Sequence, residues 1–222
     1  MIGRSLPRPD ALGKVTGAAK YPADLVRDDH LRLKVVFAHR AHARILAIDD
    51  ADALAVPGVL AVLTAKDVPY NRYGLVRSDQ PLLCDDVVRF HGDRVALVVG
   101  ETQEAADAGA RALRVTYEDL PIVDDARRAT EPGAPRVHAE RASNVLEHAR
   151  IRRGDVDAAF AHAAVVVEGE FTTSWQEHAY LQPDAGIAYY EGDRLVVETA
   201  GQWLHEDRRQ IAEMLALDTE HV

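Results

Sequence analysis

The chain reads as an α+β protein, and three observations carry that reading. Strand-like and helix-like segments interleave along the chain, several strands come as hairpin partners, and glycines are spread singly at turns instead of gathered into a phosphate-cradling loop. At 222 residues, 47% hydrophobic and 28% charged, it can bury the core of one large domain or two small ones.

The first 30 residues are irregular, punctuated by Pro7, Pro9, Gly13, Gly17 and Pro22. The β-branched run LRLKVVFA over 31–38 predicts a strand. A helix is expected from Asp49, ending before Pro57, because the residue before a proline disfavours the helical conformation. VLAVLT follows as a strand, and 65–89, with Pro69 and Pro81, reads as loop. DRVALVVG is an apolar run suited to a buried strand. Thr102 is placed to cap the helix QEAADAGARAL, with Glu104 in the first turn where the helix dipole favours a carboxylate. RVTYED returns as a strand.

EPGAP at 131–135 and the polar stretch to about Ala149 mark the best linker, and a domain boundary is expected there. Beyond it, GDVDAAFAHA predicts a short helix capped by Asp155, and AVVVEGEFTT a strand. AGIAYYEGDRLVVETA predicts a hairpin turning at EGDR. A last helix begins near Trp203, with Leu204, Ile211, Met214 and Leu215 at helical spacing.

Several function classes are disfavoured. No run approaches the roughly 18 apolar residues of a membrane span, and the N-terminus has no apolar segment of a secretory signal, which points to the cytoplasm. A formal charge of −10 argues against general nucleic-acid binding. The single cysteine, Cys84, can form no internal disulfide and hold no iron–sulfur cluster; it reads as a small, partly buried residue whose thiolate is disfavoured by the adjacent Asp85 and Asp86. Ten histidines include His39 and His42, three apart, and His178 beside Glu177, but neither group has a third and fourth metal ligand at suitable spacing. His39 and His42 read as a polar strand end or turn. Asp49/Asp50, Asp85/Asp86 and Asp124/Asp125 sit at helix starts or in loops, where capping and hydration explain them better than carboxylate catalysis.

Two segments invite chemistry. TTSWQEHAYLQPDAG over 172–186 gathers Trp175, Gln176, Glu177, His178, Tyr180 and Gln182 between strand signals, a mix suited to a lined cavity or an interface. Gln202 stands at a strand-to-helix junction, where its amide is either a local turn partner or a donor and acceptor near a helix N-terminus, a place favourable to anionic or oxo ligands.

The order of motifs resembles the molybdenum-cofactor-binding large subunit of the xanthine dehydrogenase/aldehyde oxidase/carbon monoxide dehydrogenase family. GRSLPRPDALGKVTGAAKYPADL, AHRAHARILAID, VPGVLAVLTAKDVP and the long stretch DQPLLCDDVVRFHGDRVALVVGETQEAADAGARALRVTYEDLP carry the likeness first. GDVDAAFAHAAVVVEGEFTT, QEHAYLQPDAGIAYY and GQWLHEDRRQIAEMLAL continue it in the same order. The resemblance implies an α/β-hammerhead domain over 1–130, with an N-terminal extended arm and its body between about Lys14 and Pro121. A linker over 131–147 and the incomplete beginning of a molybdopterin-binding domain over 148–222 would follow.

By the same resemblance, Gln202 is the glutamine whose amide lies against an oxo ligand of molybdenum, with Gly201 beside it at the cofactor, while Gln176, His178 and Trp203 are expected to line the active site. Gln182 stands where many relatives carry Glu, so no carboxylate role passes to it. The implied cofactors are a molybdenum-pterin, as molybdopterin or molybdopterin cytosine dinucleotide, shared with further polypeptide, and 2Fe-2S clusters and FAD on other chains. The implied activity is oxidative hydroxylation of a purine, aldehyde or N-heterocycle. The family's G-G-x-F-G-G loop and its glutamate base are not found before Val222. The expectation is therefore the opening third of a catalytic subunit, with no catalytic residue of its own and inactive alone. Its partners would be the remaining molybdopterin-binding polypeptide, a 2Fe-2S subunit and an FAD subunit. A non-enzymatic interaction or scaffold module, or a truncated remnant of such a subunit, is the alternative.

Overall fold

The strand β5 (Arg94–Gly100) organises the first part of the computed structural model, which describes residues 2–180 and 184–222. It pairs antiparallel on both edges, with β1 (Arg32–Phe37) on one side and β3 (Val59–Leu63) on the other, setting Val35 opposite Leu97 and Val62 opposite Val98. Val95, Ala96 and Val98 are fully buried, as a valine-rich strand with both edges occupied requires.

The helix α3 (Gln103–Ala112) packs on this sheet. The Thr102 hydroxyl accepts from the Ala105 backbone N–H at 3.2 Å, as its sequence position predicts. Buried Ala105, Ala106 and Gly109 form its inner face. The short helix α2 (Ala51–Leu54) packs against α3 with Ala53 fully buried.

A second sheet has β2 (Ala43–Asp49) between β4 (Val87–Val88) and β6 (Arg114–Asp119), both antiparallel to it. Ala38, Cys84, Val88 and Val95 form a buried cluster, with Val36, Ile45, Val115 and Tyr117 packed against it, so the core draws on both sheets. β2 is not evident as a strand in the sequence, because Arg44 and Asp49 interrupt its apolar pattern. Arg44 pairs with Asp86 at 3.4 Å and Glu118 at 3.3 Å, which keeps its charge at the surface while the strand pairs. Asp49 consequently ends a strand instead of starting a helix, and accepts from the Ala51 N–H at 3.2 Å.

The expected loop over 65–89 holds β4 and a single bridge between Tyr73 and Gln80. Its order comes from Asn71. The Asn71 amide donates to the Leu83 carbonyl at 2.7 Å and accepts from the Leu83 N–H at 3.0 Å, imitating a strand pair. Asp93 closes the next turn by accepting from the backbone N–H groups of Arg89 at 2.6 Å and Phe90 at 3.3 Å.

The chain divides into two units: Met1–Ile122 with Gln182–Val222, and Val123–Leu181. Within the second, Asn144 holds the proline-rich stretch by donating to the carbonyls of Ala129 at 3.0 Å and Pro135 at 2.8 Å and accepting from the Val137 N–H at 2.9 Å. The helix α4 (Val156–His162) is capped by Asp155, which accepts from the Ala158 N–H at 3.0 Å. The strand expected over 164–173 is not formed. These residues are exposed and belong to no sheet, because no other segment of the described residues pairs with them.

The hairpin β7 (Gly186–Glu191) and β8 (Arg194–Thr199) forms as predicted, turning at Gly192 with φ 65°, and the helix α5 (Leu204–Leu215) follows.

Gly109 is where α3 meets the sheet most closely: a Cβ there would stand 2.7 Å from Val59 Cγ2 and 2.9 Å from Val98 Cγ1. Glycine-to-alanine in a helix gains about 1 kcal/mol of propensity, whereas overpacking costs about 1–3 kcal/mol. Val98 is fully buried and cannot turn away, so overpacking wins. Gly109→Ala is therefore expected to lower stability by about 1 kcal/mol in urea unfolding; a more stable variant would show that the helix lifts freely from the sheet.

Candidate cofactor-facing site

The junction 200–203 connects β8 to α5, and α5 is fixed at its far end. The Tyr70 N–H donates to the Met214 carbonyl at 3.1 Å, and the Gly74 N–H to Gln210 Oε1 at 3.2 Å, so the loop over 65–89 holds the helix. Ala212 is its buried contact, and Arg209 bridges Glu206 at 2.6 Å and Glu213 at 2.7 Å along the outer face. The Arg209 guanidinium holds the Glu206 carboxyl below the usual range.

Trp203 occupies the N-cap position with φ −134° and ψ 63°, and its carbonyl accepts from the N–H groups of Glu206 at 2.9 Å and Asp207 at 3.0 Å. No side chain caps the helix start. Gly201 lies against the first turn, where a Cβ would meet the Asp207 carboxylate and oblige that side chain to shift. Gln202 and Trp203 are exposed, and among the described residues the Gln202 amide has no hydrogen-bond partner. With Glu206 and Asp207 in the first turn, the positive end of the helix dipole is already countered by carboxylates. The neutral Gln202 amide, not the helix end, is the donor offered here.

The structure thus brings Gly201, Gln202 and Trp203 together on an anchored junction. Gln176 and His178 lie in the other unit, both exposed; the His178 N–H donates to Glu177 Oε1 at 2.9 Å. Gln182 lies outside the described residues. The anchors Tyr70, Gly74 and Gln210 had no sequence signal, because they meet across more than 130 intervening residues, Gly74 and Gln210 being 136 apart. A separate open groove of about 790 Å³ runs between 22–33 and β7, where Arg27 stacks over Tyr189 at 4.5 Å and the buried His30 Nε2 lacks a partner among the described residues. Among the described residues no three His, Cys, Asp or Glu side chains gather as a metal site, and no helix is long and apolar enough to cross a membrane.

Comparison with known proteins gives this geometry its context. The family model described as aldehyde oxidase and xanthine dehydrogenase, a/b hammerhead domain, matches residues 16–121, and the molybdopterin cofactor-binding domain matches 137–222. The chain belongs to the aldehyde oxidase and xanthine dehydrogenase family. It is 36% identical to the nicotinate dehydrogenase large molybdopterin subunit of Eubacterium barkeri, over 100% of this chain and 52% of that subunit. It is 35% identical to the xanthine dehydrogenase/oxidase of Rattus norvegicus, over 87% of this chain and 14% of the relative. The solved aldehyde oxidoreductase from Desulfovibrio gigas superposes with a TM-score of 0.87 at 35% identity, covering 97% of this chain and 25% of that one. The chain therefore spans about half the length of the first relative and a quarter or less of the other two. The α+β fold, hammerhead followed by molybdopterin-binding region, agrees with the sequence expectation.

Cys84 stands apart from this site. It is buried, and burial first, then the charge of Asp93, pushes its thiol up to about 12. The thiolate is disfavoured as expected, but mainly by desolvation; Asp85 adds only a small part. In the unfolded chain the thiol ionises near 9.0, so the folded state gains stability from a neutral Cys84 that is complete below pH 9 and is lost as pH rises from there towards 12. Urea unfolding between about pH 8 and pH 11 should show stability falling above pH 9 by up to about 1.4 kcal/mol per pH unit from this group. Cys84→Ala should lack that component; an unchanged slope would remove Cys84 as its source.

Proposed function

We propose that this chain supplies the hammerhead and the opening of the molybdopterin-binding region of a molybdenum hydroxylase large subunit, with 131–147 as the linker between them. The complete enzyme carries out oxidative hydroxylation of a purine, aldehyde or N-heterocycle in the cytoplasm. Its other parts are the remaining molybdopterin-binding polypeptide, a 2Fe-2S subunit and an FAD subunit. The observation that carries this reading is an exposed amide at Gln202, without a hydrogen-bond partner among the described residues, at the junction leading into a helix fixed from its far end, in a chain matched by both family models.

The residues at the junction fit a molybdenum-pterin group, whether molybdopterin or its cytosine dinucleotide. Gly201 leaves the backbone no side chain to obstruct close approach, with the Asp207 carboxylate and Leu204 beside it. Gln202 presents an N–H donor without a charge of its own, suited to an oxo oxygen. When bound, the group supplies the two-electron redox chemistry. The chain's own work is to orient: Gln202 aims its donor and Trp203 contributes an aromatic wall, while for Gln176 and His178 the family resemblance alone supports a lining role. A donor held in advance of reaction contributes fixed electrostatics with no reorganisation at the moment charge develops.

Gln202→Ala in the reconstituted holoenzyme is expected to lower kcat by about 10²–10³-fold, equivalent to about 2.7–4 kcal/mol, with molybdenum and pterin content retained. Unchanged turnover at full metal loading would refute the assignment of Gln202.

A further inference from the structure

Gln210 uses both ends of its side-chain amide. Its Oε1 accepts from the Gly74 N–H at 3.2 Å, and its Nε2 donates to Glu206 Oε1 at 2.9 Å. The partners fix which end is which, because an N–H only donates and a carboxylate only accepts. A lysine at 210 could not accept from Gly74, and a glutamate would set two carboxylates one helical turn apart.

The run of partners continues on both sides. Toward the hammerhead, Gly74 has φ 149°, and a Cβ there would stand 2.0 Å from the Arg77 carbonyl oxygen, so the turn that aims its N–H needs glycine. Tyr73 pairs with Gln80 through main-chain bonds of 2.9 and 3.1 Å, and its hydroxyl accepts from the Arg94 guanidinium of β5 at 2.5 Å. Toward the junction, Arg209 holds Glu206 at 2.6 Å, and the N–H groups of Glu206 and Asp207 donate to the Trp203 carbonyl at 2.9 and 3.0 Å. Hydrogen bonds thus lead from β5 to the residue beside Gln202.

We infer that Gln210 is a positioning residue: it fixes the setting of α5 against the 65–89 loop and so aims Gln202. The inference rests on the reading of Gln202 given above. The bond from Tyr70 to Met214 is main chain only and lies in the last turn of the helix. From Met214 the helix start at Leu204 is about 15 Å away at about 1.5 Å per residue, so a swing of about 10° moves it about 2.6 Å. A misplacement of about 1 Å can cost about 10²-fold in rate. The Gln210 bond, nearer the junction, opposes that swing.

The test joins amide exchange of the full chain to kinetics of the reconstituted holoenzyme. Gln210→Met keeps the length and removes both hydrogen bonds. The Glu206 and Asp207 amides should then exchange at least about fivefold faster, with the β5 amides as protected as before, which shows that the variant folds. Gln210→Glu, which keeps the acceptor for Gly74 and loses the donor to Glu206, is the milder variant and carries the same expectation at those two amides. In the holoenzyme Gln210→Met should lower kcat at least about tenfold with KM within about twofold and molybdenum content retained, and should have no further effect in a Gln202→Ala background. Losses that multiply in the double variant, or first-turn amides that exchange at the original rate, would overturn the inference. Unchanged turnover in Gln202→Ala alone would refute the Gln202 assignment and leave the fixing of α5 to the exchange rates, which need neither cofactor nor turnover.

Discussion

The double pairing of β5 is the constraint on which the hammerhead depends. A backbone N–H or C=O removed from water must find a partner, and β5 meets that demand on both edges at once. That lets its apolar side chains sink fully on both faces, so α3 can close one side and the Cys84–Val95 cluster the other. That demand does not fall on 164–175, whose exposed backbone is left to water. Those residues carry the alternation and the β-branched content of a strand, but an isolated extended segment gains nothing to offset its ordering entropy. One sequence thus contains a sheet that completes itself and a strand-like stretch that pairs with no other described residue.

This contrast also explains what could be read from the sequence. Elements whose determinants are local were legible: the Thr102 and Asp155 caps, the Gly192 turn, and the apolar run of β5. β2 was hidden because its charges are answered by Asp86 and Glu118, residues 42 and 74 positions away. The strand at 164–173 was legible as a propensity and wrong as a structure, since propensity says nothing about whether a partner is present. Cys84 shows a similar split. Its neighbours suggested a disfavoured thiolate, but the dominant cause is burial beneath strands far from it in sequence.

At the candidate site, the family pattern points to Gln202, and the charges around it are consistent with a neutral side chain. Glu206 and Asp207 already occupy the first turn of α5, and the Glu206 charge is held by Arg209. A lysine or arginine at 202 would be drawn to these carboxylates, and a further carboxylate would be repelled by them. An amide does neither. Its orientation is free to be set by whatever it contacts, while the helix that follows it is fixed through Met214 and Gln210.

Fixing the helix is only half of what such a donor needs. In water, an exposed amide exchanges one hydrogen bond for another, and the net gain is about 0.5–1.5 kcal/mol. The larger effect of a catalytic donor, about 2.7–4 kcal/mol, requires exclusion of water, because the same dipole acts far more strongly where the surroundings cannot reorient to screen it. Gln202 and Trp203 are exposed here. On the function proposed above, the chain supplies placement, and the low dielectric that would turn placement into rate has to come from polypeptide packed around the junction. An assembly built this way couples activity to completeness: until the surrounding polypeptide closes over the junction, the donor competes with water and contributes little.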